Sequence, residues 1–359
     1  RALSMRTDQI WRSEEQAIFA LRGLYQRYGY TPYKMSQFEE YDLYVRNKDF
    51  LISDRIITFS GEGGKLMALK PDVTLSIVKN APEAPGVVQK VYYSENVYRD
   101  YREIMQAGLE CVGDLTDYDI AEAVVLAAKS LALLGENYVL DISHMGLVGA
   151  VLNRLGFDTD EQKKVMTCLR QKNTHELRAL CQGKPQAEAV LPAIAACRGG
   201  AEALEAIAPL LEGAEEQRAL SQLRMLLGLL TTQGSRVRLD FSVSNDLGYY
   251  SGVVFRGYLP GIPASVLSGG QYDKLPRKMG RKARAIGFAI YVDLLQELSG
   301  SDESFDVDTL ILHDRQANPE ELLRAAEEGA KEGSVLVSTT LPADRRWKNL
   351  IDLRKEAAK

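Results

Sequence analysis

Cysteine, histidine and long apolar runs are all scarce in this chain of 359 residues. The four cysteines, Cys111, Cys168, Cys181 and Cys197, never approach C-x-x-C spacing. That excludes a zinc ribbon or a disulfide scaffold and reads them as reduced thiols of an intracellular protein. The three histidines, His144, His175 and His313, show no metal-ligand spacing, so neither a metal nor another cofactor is implied. No apolar run reaches the ~18 residues that span a bilayer. The polar stretch Arg1 to Gln9 lacks the apolar core of a signal peptide, so the expectation is a cytoplasmic protein with no membrane contact. The chain begins at Arg1 rather than Met, and native residues are expected to precede it. Net positive charge is missing too. A formal charge of -5 and a pI near 5.5 give no global attraction for nucleic acid, which speaks against a dedicated tRNA binder. Low-complexity segments and internal repeats are absent.

What is present is a globular composition, 45% hydrophobic, long enough for one large core with one or two smaller domains. Between Gln9 and Tyr28, residues Ile10, Ala17, Ile18, Leu21, Leu24 and Tyr25 share a helical face, and Gly29 suits its end. Short apolar segments at Ile56 to Ser60, Leu66 to Leu69, Val88 to Tyr93 and Ala107 to Val112 read as strands of an antiparallel sheet. A second helix spans Asp119 to Leu134, with a strand from Tyr138 to Ile142. Residues 146–234 are rich in Leu, Ala, Glu and Arg and read as a helical insertion. Strand patterning returns from Val237 through Tyr258 and at Ala264 to Leu267, with a helix expected after Gly287. Beyond a Ser- and acid-rich linker, residues 305–359 read as a small α/β domain with strands at Val307 to Leu312 and Ser334 to Ser338 and helices at Pro319 to Lys331 and Arg345 to Lys359. The fold class is α+β, with a core built from residues 1–145 and 235–298.

Four separated strings carry a sharper signal. They are Met67-Ala68-Leu69-Lys70-Pro71-Asp72-Val73-Thr74, then Tyr98-Arg99 followed by Arg102 to Glu110 with Gln106 and Gly108, then Leu247 to Phe255 around Tyr249-Tyr250, and Ser268 to Asp273 followed by Gly287. In order and separation they resemble the histidine branch of the class II aminoacyl-tRNA synthetases, over roughly residues 10 to 298. The resemblance implies an antiparallel sheet flanked by helices. Histidine presents an ammonium, a carboxylate and an imidazole, so its site needs acceptors at one end and directional partners for two ring nitrogens at the other. By resemblance, Asp72, Thr74 and Gln106 would hold the α-amino group, and Glu110, Tyr249 and Tyr250 would line the ring side. Arg99 would bind a phosphate or pair with a carboxylate. Each has a plainer reading: Asp72 as a turn or helix cap, Gln106 and Glu110 as alternating strand residues.

The departures from that family concern phosphate chemistry. Asn245 and Leu294 stand where the family has arginines, Tyr101 stands at a glutamate position, and few residues separate Arg99 from Gln106, where the family has a long loop. Losing one preorganised charge typically costs ~10²–10³ in rate, so adenylate formation is not expected. The chain thus resembles the regulatory subunits of bacterial ATP phosphoribosyltransferase. The resemblance implies a non-catalytic partner of the short catalytic subunit that senses histidine, a homodimer within a hetero-oligomer, and no tRNA binding. Met35-Ser36, in place of the family's Thr-Pro, bears on the dimer geometry. A histidine–tRNA ligase and a stand-alone amino-acid-binding module are the alternatives. The basic run Arg277, Lys278, Arg281, Lys282 and Arg284 reads as solvated loop charge or as a surface for a phosphate or an acidic partner.

Overall fold

The computed structural model describes residues 13–51, 53, 55–243, 248–298 and 305–354. They fall into two compact units that divide after Leu298. The first opens with α1 (Ser13–Arg27) and β1 (Thr31–Pro32). Leu21, Leu24 and Tyr25 are buried along the expected stripe, and Gly29, at φ +80°, ends the helix in the left-handed conformation that glycine adopts without steric cost. A small antiparallel sheet follows, made of β2 (Phe38–Glu40), β3 (Thr58–Ser60) and β4 (Leu66–Leu69) in the order β2-β4-β3, with α2 (Tyr41–Arg46) after β2. Next come α3 (Thr74–Asn80) and the long hairpin of β5 (Val88–Arg99) and β6 (Arg102–Gly113), then α4 (Asp117–Leu134) and β7 (Val139–His144).

The helical stretch comprises α5 (Met145–Arg154), α6 (Thr159–Gln171), α7 (Thr174–Cys181), α8 (Pro185–Ala196), the two-residue β8 (Arg198–Gly199), α9 (Ala201–Ile207) and α10 (Ala214–Thr232). Its apolar interior is continuous with that of the sheet. Glu216 at the start of α10, 1% exposed, accepts from Arg154 Nε at 2.6 Å, which ties α10 to α5. The chain returns through β9 (Val237–Asp240), β10 (Val253–Tyr258), β11 (Leu267–Gln271), α11 (Lys274–Lys278) and β12 (Arg284–Tyr291).

Among the described residues, nine strands form the main sheet in the order β1-β5-β6-β12-β11-β10-β7-β9-β8. Pairing is parallel at β1–β5 and β7–β9 and antiparallel at the other junctions. Alternation along the strands gives the sheet two apolar faces. On one, Leu109, Phe255, Phe288 and Ile290 pack with α1 and the stripe Ile120, Val124, Ala127, Ala128 and Leu131 of α4. On the other, Val91, Tyr93, Val97, Val112 and Ala285 pack with Leu75, Ile77 and Val78 of α3 and with Ala68 of the small sheet. A capping box of Thr116 and Asp119 starts α4, and Lys90 Nζ reaches Asp119 at 3.1 Å and Glu122 at 2.7 Å, anchoring that first turn to β5.

Two expectations are corrected. The helix foreseen after Gly287 is strand: β12 runs to Tyr291 and only then turns into a 3-10 segment, Val292–Leu298. Gly287 lies opposite Glu110 on one side and Gly270 on the other, so this glycine marks a close approach and not a break. The helix foreseen from Arg345 is also strand. In the second unit β13 (Val307–Leu312), α12 (Pro319–Gly329), β14 (Val335–Ser338) and β15 (Trp347–Asp352) form a parallel sheet in the order β14-β13-β15. Backbone pairing of Val307 with Trp347 through Leu312 with Asp352 outweighs the helix-favouring composition that follows, of which 355–359 lie outside the described residues. No helix among the described residues is long and apolar enough to cross a membrane. The four cysteines are buried free thiols.

Candidate functional site

The segment ahead of α3 is strapped to the sheet through its backbone. Lys70 N donates to Gln37 O (3.1 Å) and Lys70 O accepts from Tyr98 N (2.8 Å). The Lys70 side chain is fully buried and its ammonium pairs with Glu95. Pro71 and Asp72 are thereby delivered over β5 and β6. Asp72 Oδ1 accepts from Leu75 N at 2.9 Å, so this residue braces the turn into α3, in line with its plainer reading, and it lines a cavity as well. Burial raises its pKa, partly opposed by the Leu75 N–H and by Arg99.

All seven residues singled out in the sequence, Asp72, Thr74, Arg99, Gln106, Glu110, Tyr249 and Tyr250, line this one cavity, whose volume of about 60 Å³ holds a few waters, so that a larger ligand enters only as the lining side chains move apart. Gln106 and Glu110 reach it because both lie on the same face of β6, with Gly108 between them. Glu110 is 2% exposed. Its Oε1 accepts from Thr74 Oγ1 at 2.7 Å and its Oε2 accepts from the Tyr272 hydroxyl. Burial pushes its pKa up to about 8, against the pull of those two hydroxyls, with Asp72 adding to the rise. A Cβ on Gly287 would stand 1.7 Å from Glu110 Oε2, so the carboxyl occupies space that only glycine leaves open. Tyr249 packs edge-on against Tyr250, ring centroids 4.6 Å apart, and leans on Phe50 and Tyr272. At the far end Arg99 is buried to 6% exposure, and its Nε has no hydrogen-bond partner. The cavity joins a buried carboxyl cage, a second carboxylate at Asp72 and a guanidinium with an open donor. Such a set suits a small zwitterion that carries a polar ring.

Tyr93, Ser268, Tyr272 and Tyr291 also line the cavity and were not singled out. Cross-strand register could have found two of them: Tyr93 lies opposite Gly108, and Tyr291 opposite Gln106. Asn245 lies outside the described residues. Leu294 packs half-buried against the main core.

Arg99 and Arg102 close the β5–β6 hairpin through a two-residue turn, with Asp100 at φ 51° and Tyr101 at φ 61°. Two successive positive φ values make this a type I′ turn, the connection that matches strand twist. The basic run is largely spent on its own chain. Arg281 donates to the carbonyls of Lys79 and Ala81 at the end of α3, Arg284 to Leu115 O at 2.9 Å, and Lys278 pairs with Asp49 at 2.7 Å.

A wider groove of about 930 Å³ lies between α4 and α10, and several of its polar side chains are already engaged. His144 Nδ1 accepts from Leu147 N, capping α5, and its Nε2 pairs with Gln222 at 2.8 Å; burial lowers its pKa to about 4. Gln271 bonds Asp273 at 2.7 Å.

The sequence profile of the histidyl-tRNA synthetase family matches residues 6–295. The chain belongs to that family. Within it the similarity runs to proteins named as ATP phosphoribosyltransferase regulatory subunits. The one from Geobacter metallireducens is 30% identical over 281 residues, 74% of this chain and 63% of the relative, so the chain spans less than two thirds of that protein. The one from Bacillus thuringiensis is 25% identical over 349 residues, covering 91% and 83%. In fold, the chain is similar to the crystal structure of an ATP phosphoribosyltransferase regulatory subunit/histidyl-tRNA synthetase from Bacillus halodurans, with a TM-score of 0.76 at 23% identity over 96% of this chain and 94% of that one. For this member of the histidyl-tRNA synthetase family, the seven residues singled out by the resemblance share one cavity, and a two-residue turn stands where the resemblance implies a long loop.

Proposed function

We propose that this chain is a non-catalytic regulatory subunit of ATP phosphoribosyltransferase, and that its cavity binds free histidine as the effector. The observation that carries the reading is the contrast within the site. The seven residues singled out by the resemblance converge on one cavity, while Arg99 leads straight into a two-residue turn too short to reach over a nucleotide. The names of the similar proteins support the same reading. Asp72, Thr74 and Gln106 would receive the ammonium, Arg99 the carboxylate, and Glu110, Tyr249 and Tyr250 the ring. Feedback then requires that histidine bind the inhibited assembly more tightly than the active one, by typically ~1–3 kcal/mol. We place the chain in the cytoplasm, as a homodimer within a hetero-oligomer, without a role for tRNA.

The test is ATP phosphoribosyltransferase activity of the cognate short catalytic subunit, with and without this chain, as histidine is titrated. Activation that histidine then suppresses is the expected result. Unchanged activity and no complex on sizing would overturn the regulatory role and leave a stand-alone amino-acid-binding module. Family membership itself favours a second reading, a working histidine–tRNA ligase. ATP–pyrophosphate exchange dependent on histidine would establish it.

A further inference from the structure

The cavity's least ordinary group is Glu110, a carboxyl at 2% exposure whose oxygens meet two neutral hydroxyls, Thr74 Oγ1 and Tyr272 OH, and no cation's side chain. The cavity's guanidinium, Arg99, acts on Asp72 instead. Among the charged and titratable groups that face the cavity are Asp72 from the turn before α3, Tyr93 and Arg99 from β5, Tyr249 and Tyr250 ahead of β10, Tyr272 after β11 and Tyr291 from β12. An ionised Glu110 in that company is a desolvated negative charge near a second carboxylate, and it is better tolerated neutral or beside an arriving cation.

We propose that Glu110 and the ring of the bound amino acid hold one proton between them, and that Tyr272 is the positioning residue that fixes the carboxyl for this exchange. The inference rests on the effector reading above and adds its proton stoichiometry. The neutral carboxyl donates its proton to the unprotonated ring nitrogen, and the complex becomes an imidazolium against a carboxylate with no net gain or loss of protons. Below the ring's own pKa of ~6.5 the free ligand already carries a proton, so binding must release one. Above the range where free Glu110 ionises, near 8, binding must take one up. Affinity therefore peaks between these limits and falls about tenfold per pH unit on either side.

Tyr272 is suited to the positioning role by its own burial, 2% exposed, and by its ring contact with Tyr249 at 6.0 Å. Its hydroxyl stabilises the ionised carboxylate. Removing it should move the alkaline limb to higher pH while leaving the acidic limb, which belongs to the ligand, in place.

The experiment is titration calorimetry of histidine into the full chain from pH 5.5 to 9, in pairs of buffers with different ionisation heats. Expected are one proton released near pH 5.5, one taken up near pH 9, and an alkaline limb that Tyr272→Phe displaces upward. The ligand's α-amino group loses its proton in the same alkaline range, so Glu110→Gln, which keeps shape but cannot titrate, isolates the carboxyl: its alkaline proton uptake should fall by about one. A triazole-ring analogue of histidine, of similar shape and far lower basicity, should bind at least tenfold more weakly to the wild type and lose less against Glu110→Gln. Histidine binding with the same alkaline uptake in wild type and Glu110→Gln would overturn proton sharing and leave the effector reading standing. Absence of histidine binding at every pH would overturn both.

Discussion

The two ends of the cavity are built on opposite plans. At the Glu110 end the carboxyl is caged: two hydroxyls hold it, and a glycine is kept bare to admit it. At the Arg99 end a buried guanidinium nitrogen stands without a partner, and the strand that carries it runs into a turn whose Tyr101 is 81% exposed. A buried carboxyl is expensive to keep, and keeping it requires coordinated residues from β6, α3, β12 and the segment just after β11. A loop, by contrast, can be shortened to two residues without disturbing the strands that bound it. The end that demands cooperation is tightly built here, and the end that bears a freely variable loop closes in a two-residue turn.

That contrast can be broken first at Glu110. Its folded-state pKa lies above the ordinary carboxyl value, so the neutral form stabilises the fold fully below about pH 4.5 and that stabilisation is lost as pH rises through about 8. The swing is on the order of 4 kcal/mol. Glu110→Gln removes it, so denaturant melts should show the variant gaining on the wild type between pH 5 and pH 8.5; parallel curves would refute the perturbed carboxyl. Gly287→Ala comes next. The added methyl meets Glu110 and the Leu109 carbonyl, and overpacking of this kind costs ~1–3 kcal/mol, with loss of detectable histidine binding by calorimetry. Arg99→Met tests the other end. It should weaken histidine binding by about 10–100-fold, the loss of a charged hydrogen bond worth ~1.5–3 kcal/mol, with little change in melting temperature. The smallest effect belongs to Tyr101→Gly, which relieves a positive φ. A gain of ~0.5–1 kcal/mol in stability with unaltered histidine binding would show that the turn is a closed hairpin and not part of the site.

Much of the candidate site was legible because its residues sit in strings, such as Lys70-Pro71-Asp72-Val73-Thr74, that resemble those of a known family. The tyrosines 93, 272 and 291 were not, because nothing local distinguishes a cavity-lining tyrosine from a core one. Only the register of β5, β6 and β12 puts Tyr93 and Tyr291 on the face of Glu110. Gly287 misled in the same way. In a lone sequence it reads as a break, whereas in the sheet it is the space into which a carboxyl fits. In the second unit, helix-favouring residues near the end of the chain suggested a helix, and parallel pairing to β13 overrode them. The buried stripes of α1 and α4, by contrast, were legible directly from their periodicity, since burial of a single helical face is a local pattern.

The opposition of Glu110 and Gly287 across β6 and β12 makes the cavity a check on how the sheet has zipped. Sliding one strand by a single residue would set Ile286 or Phe288 where the bare glycine now lies and would turn alternate side chains to the wrong face. A mis-registered molecule has no cavity at all. Any ligand that fills the site therefore binds only correctly assembled chains and, by mass action, draws the population toward them.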